Sequence, residues 1–135
     1  MPGKSLGGLT VGMTPAQVER AWGRDHGRCR SCRRTTWYFN YAPFKPQGAG
    51  VEFRNGHVAA IFTLWAPAAW HTTKRLTIGD PATRITELYG ALPESHCGGY
   101  DAYVILGRAT TTAVYVQDEK VWGFGLSRAE VPACR

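Results

Sequence analysis

The segment RDHGRCRSCRR, residues 24–34, gathers the residue types most able to do chemistry: His26, the pair Cys29 and Cys32 at Cys-x-x-Cys spacing, and five arginines within eleven positions. Three chemistries could use it. A redox dithiol needs its attacking cysteine at a helix N-terminus, where the dipole favours the thiolate. Here the motif follows a helix that stops at Gly23 and precedes a strand. The neighbouring arginines would favour a thiolate, but the pair reads first as a structural disulfide. A zinc site would need a fourth ligand beside His26, Cys29 and Cys32. Its other source, His96-Cys97, is adjacent rather than spaced, so no metal is expected. Arg28, Arg30, Arg33 and Arg34 suit an anion, because a guanidinium meets carboxylate or phosphate with two parallel hydrogen bonds. No nucleic-acid module surrounds them, which points to an acidic protein or an acidic cell-envelope polymer instead.

The other reactive residues form no catalytic pattern. His26, His57, His71 and His96 are scattered, and GGLTVG and HCGGYD are turn glycines rather than a phosphate loop. We expect no enzyme and no cofactor. Of the three pairings open to four cysteines, we expect a tight Cys29–Cys32 loop and a Cys97–Cys134 staple on the C-terminal tail. Disulfides belong to an oxidising compartment. MPGKSLGG lacks the apolar core of a signal peptide. The chain is therefore either cytosolic or, as we expect from the cysteines, a secreted or extracytoplasmic protein whose signal peptide was removed and Met1 added. No stretch approaches the roughly 20 apolar residues of a membrane helix. Charge is uneven. Residues 1–66 carry nine Lys/Arg against three Asp/Glu, and residues 67–135 carry seven of each.

The elements that must position these residues show in a repeat. GLTVGMTPAQVERAWG (8–23) returns as RLTIGDPATRITELYG (75–90), 67 residues later. In the first copy Thr14 is a natural N-cap, Pro15 suits the first helical position and Gln17 completes a capping box. Val18, Ala21 and Trp22 share a face, and Gly23 ends the helix. In the second, Asp80 is expected to cap and Pro81 to open. Ile85, Leu88 and Tyr89 form the face, and Gly90 ends it. Helices this short are marginal alone and must lie on something.

Strand patterns follow each helix: 35–41, 50–54 and 57–65, then 102–106, 111–117 and 120–127. Asn55-Gly56 and Asp118-Glu119 mark hairpin turns. The expected fold is α+β, with two tandem units of short helix plus three-stranded antiparallel meander. The units span 1–66 and 67–135 and join as one compact domain, a larger sheet with both helices on one face. Simple alternation from two-residue turns puts Val51, Phe53, Val58, Ala60, Phe62 and Leu64 towards the helices. It leaves Ile61, Trp65, Tyr115, Trp122 and Phe124 on the opposite face, with Tyr115 opposite Trp122. So apolar a face is either covered, by the tail SRAEVPACR or the 65–74 linker, or used for binding.

VGMTPAQVERAWG resembles the signature of the β-lactamase inhibitor protein family. The pattern also opens small outer-membrane lipoproteins of the β-barrel assembly machinery. The resemblance implies tandem helix-plus-strand units, a disulfide per unit and a concave sheet that grips a partner protein. It implies no catalytic site, and the second copy departs from it where Asp80-Pro81 replaces Met13-Thr14. The expected function is thus a secreted, inhibitor-like, non-enzymatic binding protein. Tyr115, Trp122, Phe124, Ile61 and Trp65 would be its anchors, and Arg28, Arg30, Arg33 and Arg34 would orient an acidic partner. The alternatives are a thiol-redox or metal-binding protein using Cys29/Cys32, or a structural envelope component.

Overall fold

The computed structural model describes residues 1–40, 48–65 and 70–135. The chain forms one eight-stranded antiparallel sheet with two short helices. In chain order the elements are α1 (Pro15–Trp22), β1 (Gly27–Arg28), β2 (Thr36–Phe39), β3 (Ala49–Arg54), β4 (His57–Leu64), α2 (Thr83–Tyr89), β5 (Glu94–His96), β6 (Asp101–Leu106), β7 (Thr110–Gln117) and β8 (Lys120–Arg128). The spatial order is β1-β2-β3-β4-β8-β7-β6-β5, so β4 and β8 meet at the centre. This overturns the α+β expectation of two helix-plus-three-strand units. The helices hold only eight and seven residues. β1 and β5 are further strands that two or three exposed residues without alternation could not announce. The end of the first expected strand, Tyr41, lies outside the described residues.

α1 forms as its sequence dictates. Gln17 N donates to Thr14 Oγ1 and Thr14 N to Gln17 Oε1, a reciprocal capping box with Pro15 in the first turn. α2 does not. Its cap is Ala82, with no side-chain bond, and Asp80 turns back to accept from Thr77 N at 2.9 Å. A short aspartate can close its own turn as readily as cap a helix, and here the turn wins.

Both helices lie on one face of the sheet. α1 buries Val18 and Trp22 against Trp37, Phe39, Val51, Phe53, Val58 and Ile61. α2 buries Ile85 against Leu76, Val114, Val121 and Phe124. Leu6 and Trp70 touch both clusters and close the seam between them. A cavity of about 260 Å³ remains there, beneath the N-terminal segment and lined by Leu6, Trp70, Thr72, Thr112, Phe124 and Leu126 among others.

Each long hairpin carries a bulge two residues past its turn. Phe53 pairs with Val58 but Glu52 with Ala60, which leaves Ala59 extra. Val116 pairs with Val121 but Tyr115 with Gly123, which leaves Trp122 extra. One inserted residue reverses the alternation beyond it. Ile61 and Phe124 therefore face the helices, and Trp65 packs with them, whereas Ala60, Phe62 and Leu64 go to the other side. This corrects the face expected for all six. Tyr115 stands opposite Gly123, not Trp122.

The outer edges are the two shortest strands. β1 runs directly into Cys29, whose N–H donates to Thr36 O at 2.9 Å, and β5 runs into Cys97, whose N–H donates to Tyr100 O at 2.9 Å. Each edge hairpin thus carries one disulfide: Cys29–Cys32 closes the β1–β2 loop, and Cys97 joins Cys134 of the tail.

Candidate functional site

The face away from the helices carries the residues with most scope for recognition. On it the first half places Tyr38, Glu52, Ala60, Phe62 and Leu64. The second half places Ala102, Ala113, Tyr115 and the bulged Trp122. Glycine makes room for the rings. A Cβ at Gly50 would run into the Phe62 ring, and one at Gly125 into the Tyr115 hydroxyl, so both aromatics lie low across the sheet.

The C-terminal tail covers part of this face. Val131 packs on Ala59 and Ala60, two small residues that leave it a berth. Tyr115 OH donates to Ala133 O at 2.9 Å, and Arg135 N donates to Tyr100 OH at 2.7 Å. The Cys97–Cys134 bond ties the tail to the β5–β6 edge. Tyr115 is consequently a core residue, 1% exposed. Burial raises its phenol pKa above the ordinary tyrosine range, only partly opposed by Arg135. Of the anchors expected from sequence, Ile61, Tyr115 and Phe124 are buried and Trp65 is on the helix side. Trp122 remains half-buried on this face.

What stays accessible beside the tail is a patch of half-buried Tyr38, Leu64, Tyr100 and Trp122 around the buried Phe62. Tyr38 meets Phe62 edge-on with ring centroids 6.4 Å apart. Tyr100 lies 5.3 Å from Trp122. Trp122 O accepts from Trp65 N at 2.6 Å, so the bulge holds its backbone in place. Alternation between Trp37, Tyr38 and Phe39 along β2, which pairs with β3 without a register shift, already puts Tyr38 on the side away from Val51; Tyr100 precedes β6 and carries no such strand signal.

At the β1–β3 corner of the same face stands a charged cluster. Glu52, although buried, accepts from three guanidinium groups: Arg34 Nη1 at 3.3 Å, Arg54 Nε at 3.3 Å and Arg135 Nη1 at 2.7 Å. Arg28, Arg30 and Arg33 are exposed on the adjoining hairpin. Glu52 pairs with Thr36, and Gly50 with Tyr38, one pleat repeat further along. Charge and aromatic patch are thus roughly 7 Å apart along the strands.

His26 does not approach zinc geometry. Its ring stacks on Trp37 at 3.8 Å, and its Nε2 lies 3.0 Å from Glu19 Oε1. Cys29 and Cys32 are disulfide-bonded, so neither is a thiolate ligand. His96 instead meets Asp101 directly across the β5–β6 pair, with Nδ1 2.6 Å from Oδ1. Glu94 lies two residues along, and ligand atoms of all three fall within 4.8 Å of one another. Among the described residues this exposed trio is the group that could hold a cation. The hydrogen bond to Asp101, then the charges of Asp101 and Glu94, raise the His96 pKa. Sequence reading missed it because it paired His96 with Cys97 rather than across the strand.

No protein-family model matches the chain, and neither does any curated protein. Solved structures share its fold. A DUF4309 family protein, YjgB, from Bacillus subtilis aligns with TM-score 0.67 and 14% identity, over 90% of this chain and 82% of that one. An extracellular protein containing an SCP domain from Bacillus anthracis aligns with TM-score 0.64 and 9% identity, over 87% of this chain and 44% of that one. A cysteine-rich secretory protein from Staphylococcus aureus aligns with TM-score 0.62 and 14% identity, over 96% of this chain and 48% of that one. The chain thus spans less than half the length of the last two. At these identities the likeness is one of fold. Both disulfides fit an oxidising, extracytoplasmic setting, and among the described residues no helix is long and apolar enough to cross a membrane.

Proposed function

We propose that this chain is an extracytoplasmic, non-enzymatic binding protein that holds another protein against the sheet face left beside its tail. The observation that carries this reading is the accessible patch of Tyr38, Leu64, Tyr100 and Trp122 on a rigid antiparallel sheet. Aromatic side chains fixed by a sheet bury much area on contact and lose few rotamers, which is what anchor residues require. Trp122 is the central anchor, because its bulge lifts it out of the sheet's alternation. The resemblance of VGMTPAQVERAWG to the β-lactamase inhibitor protein family, whose members grip partners with a concave sheet, supports the same reading. The extracellular and secretory descriptions of two structural neighbours support the compartment.

The test is affinity capture from the extracytoplasmic fraction of the source cells, followed by titration of the purified partner. Trp122→Ala should weaken that complex by about 2 kcal/mol or more, a hot-spot magnitude, while the isolated protein still folds. Unchanged affinity in Trp122→Ala, with the partner still bound, would remove this face as the binding surface.

A further inference from the structure

The corner around Glu52 holds more positive charge than the fold needs. Three guanidinium groups converge on one carboxylate, leaving an excess of two charges among side chains that are 48% (Arg34), 19% (Arg54) and 12% (Arg135) exposed. A buried ion pair is stabilising only when its charges and donors are matched. These are not matched: among the described residues Arg54 Nη2 is buried with no hydrogen-bond partner. Arg28, Arg30 and Arg33 add three exposed charges on the adjoining hairpin and make no ion pair among the described residues. All six cations are arginine, whose planar fork binds oxyanions with two bonds at once.

We propose that Arg34, Arg54 and Arg135 form a carboxylate seat for an acidic polypeptide, with Glu52 as its internal occupant. This rests on the sheet-face reading and names the chemistry of the partner. The anion that the structure places among these guanidinium groups is itself a carboxylate, held by both oxygens. A phosphate polymer would satisfy the charges equally. It would leave unused the aromatic patch one pleat repeat away, which a peptide mixing acidic and apolar side chains fills. An incoming carboxylate bridges Arg34 and its hairpin neighbours first, since Arg34 is the most open of the three, and shares Arg54 with Glu52.

The experiment is fluorescence anisotropy with a labelled peptide alternating glutamate and leucine. Its glutamine analogue and a polyphosphate of equal charge are the comparators, each at 50 and 200 mM NaCl. The expected result is binding of the glutamate peptide at low salt and at least 10-fold weaker binding at the higher salt, as exposed charges are screened. The glutamine analogue should be weaker still. Arg34→Gln should cost at least 5-fold. Glu52→Gln, checked for folding by circular dichroism, should strengthen binding, because it removes the internal competitor; a merely structural Glu52 would not do so. Should Glu52→Gln fail to fold, Arg34→Gln, half-exposed and tolerant, decides alone. Tighter binding of polyphosphate, or unchanged affinity in Arg34→Gln, overturns the seat. If Arg34→Gln has no effect while Trp122→Ala abolishes capture of a partner, the sheet-face reading stands and the seat falls. If neither has any effect, both fall.

Discussion

Replacing Cys97 and Cys134 together by serine should cost about 4 kcal/mol, and replacing Cys29 and Cys32 only about 2 kcal/mol. The difference follows from loop length. The first bond joins residues 37 apart and the second residues 3 apart, and a crosslink restricts the unfolded chain more as the loop it closes grows. The native tail should stay in place without its disulfide. Val131 remains buried on Ala59 and Ala60, and Tyr115 OH still donates to Ala133 O. Far-ultraviolet circular dichroism should therefore change little while the urea midpoint falls. For a chain of this size about 4 kcal/mol corresponds to roughly 12–16 °C in Tm. The assay is urea unfolding of both double variants beside the wild type. Equal losses would refute the loop-length argument. A loss below about 1 kcal/mol at Cys97/Cys134 would show that the unfolded chain is not restrained by this bond.

Ile61→Ala should cost about 2–5 kcal/mol in the same urea assay, since the bulge buries Ile61 beneath the helices, and little or nothing if alternation had left it on the open face. Tyr115 should be missing from a spectrophotometric phenolate titration near the ordinary tyrosine value of 10.0. Its folded pKa is raised by burial, so its contribution to stability is complete below pH 10 and is lost as pH rises towards the folded value; Tyr115→Phe should flatten that alkaline decline. His96 should titrate above its ordinary 6.5 by nuclear magnetic resonance, and Asp101→Asn should bring it down, since the hydrogen bond to Asp101 is the leading cause.

The local code was legible where a few adjacent residues decide the outcome. Thr14, Pro15 and Gln17 specify the start of α1, and Asn55-Gly56 specifies a turn. Both disulfide partners could be read from cysteine spacing. What escaped depends on distant neighbours. The bulges at Ala59 and Trp122 cannot be seen in a pattern that continues apolar on both sides, and they moved Ile61, Phe62, Leu64 and Phe124 to the other face. β1 and β5 carry exposed residues held by their pairing partners rather than by their own propensity. Glu52 gave no sign of three arginines, because Arg135 reaches it from 83 positions away.

The outer edges bear on how copies of this molecule behave towards each other. A sheet ending in a row of unpaired backbone groups is a template for another chain, and short edge strands blunt it. Here the two edge strands have two and three residues, and each is followed at once by a disulfide-bonded cysteine. The bonds lock the corners at which a frayed hairpin would begin to peel and expose β2 or β6 as a longer strand. Reduction should therefore do more than lower a melting point. It should make the chain associate slowly, edge to edge, with light scattering that grows with protein concentration and is absent while both disulfides are intact.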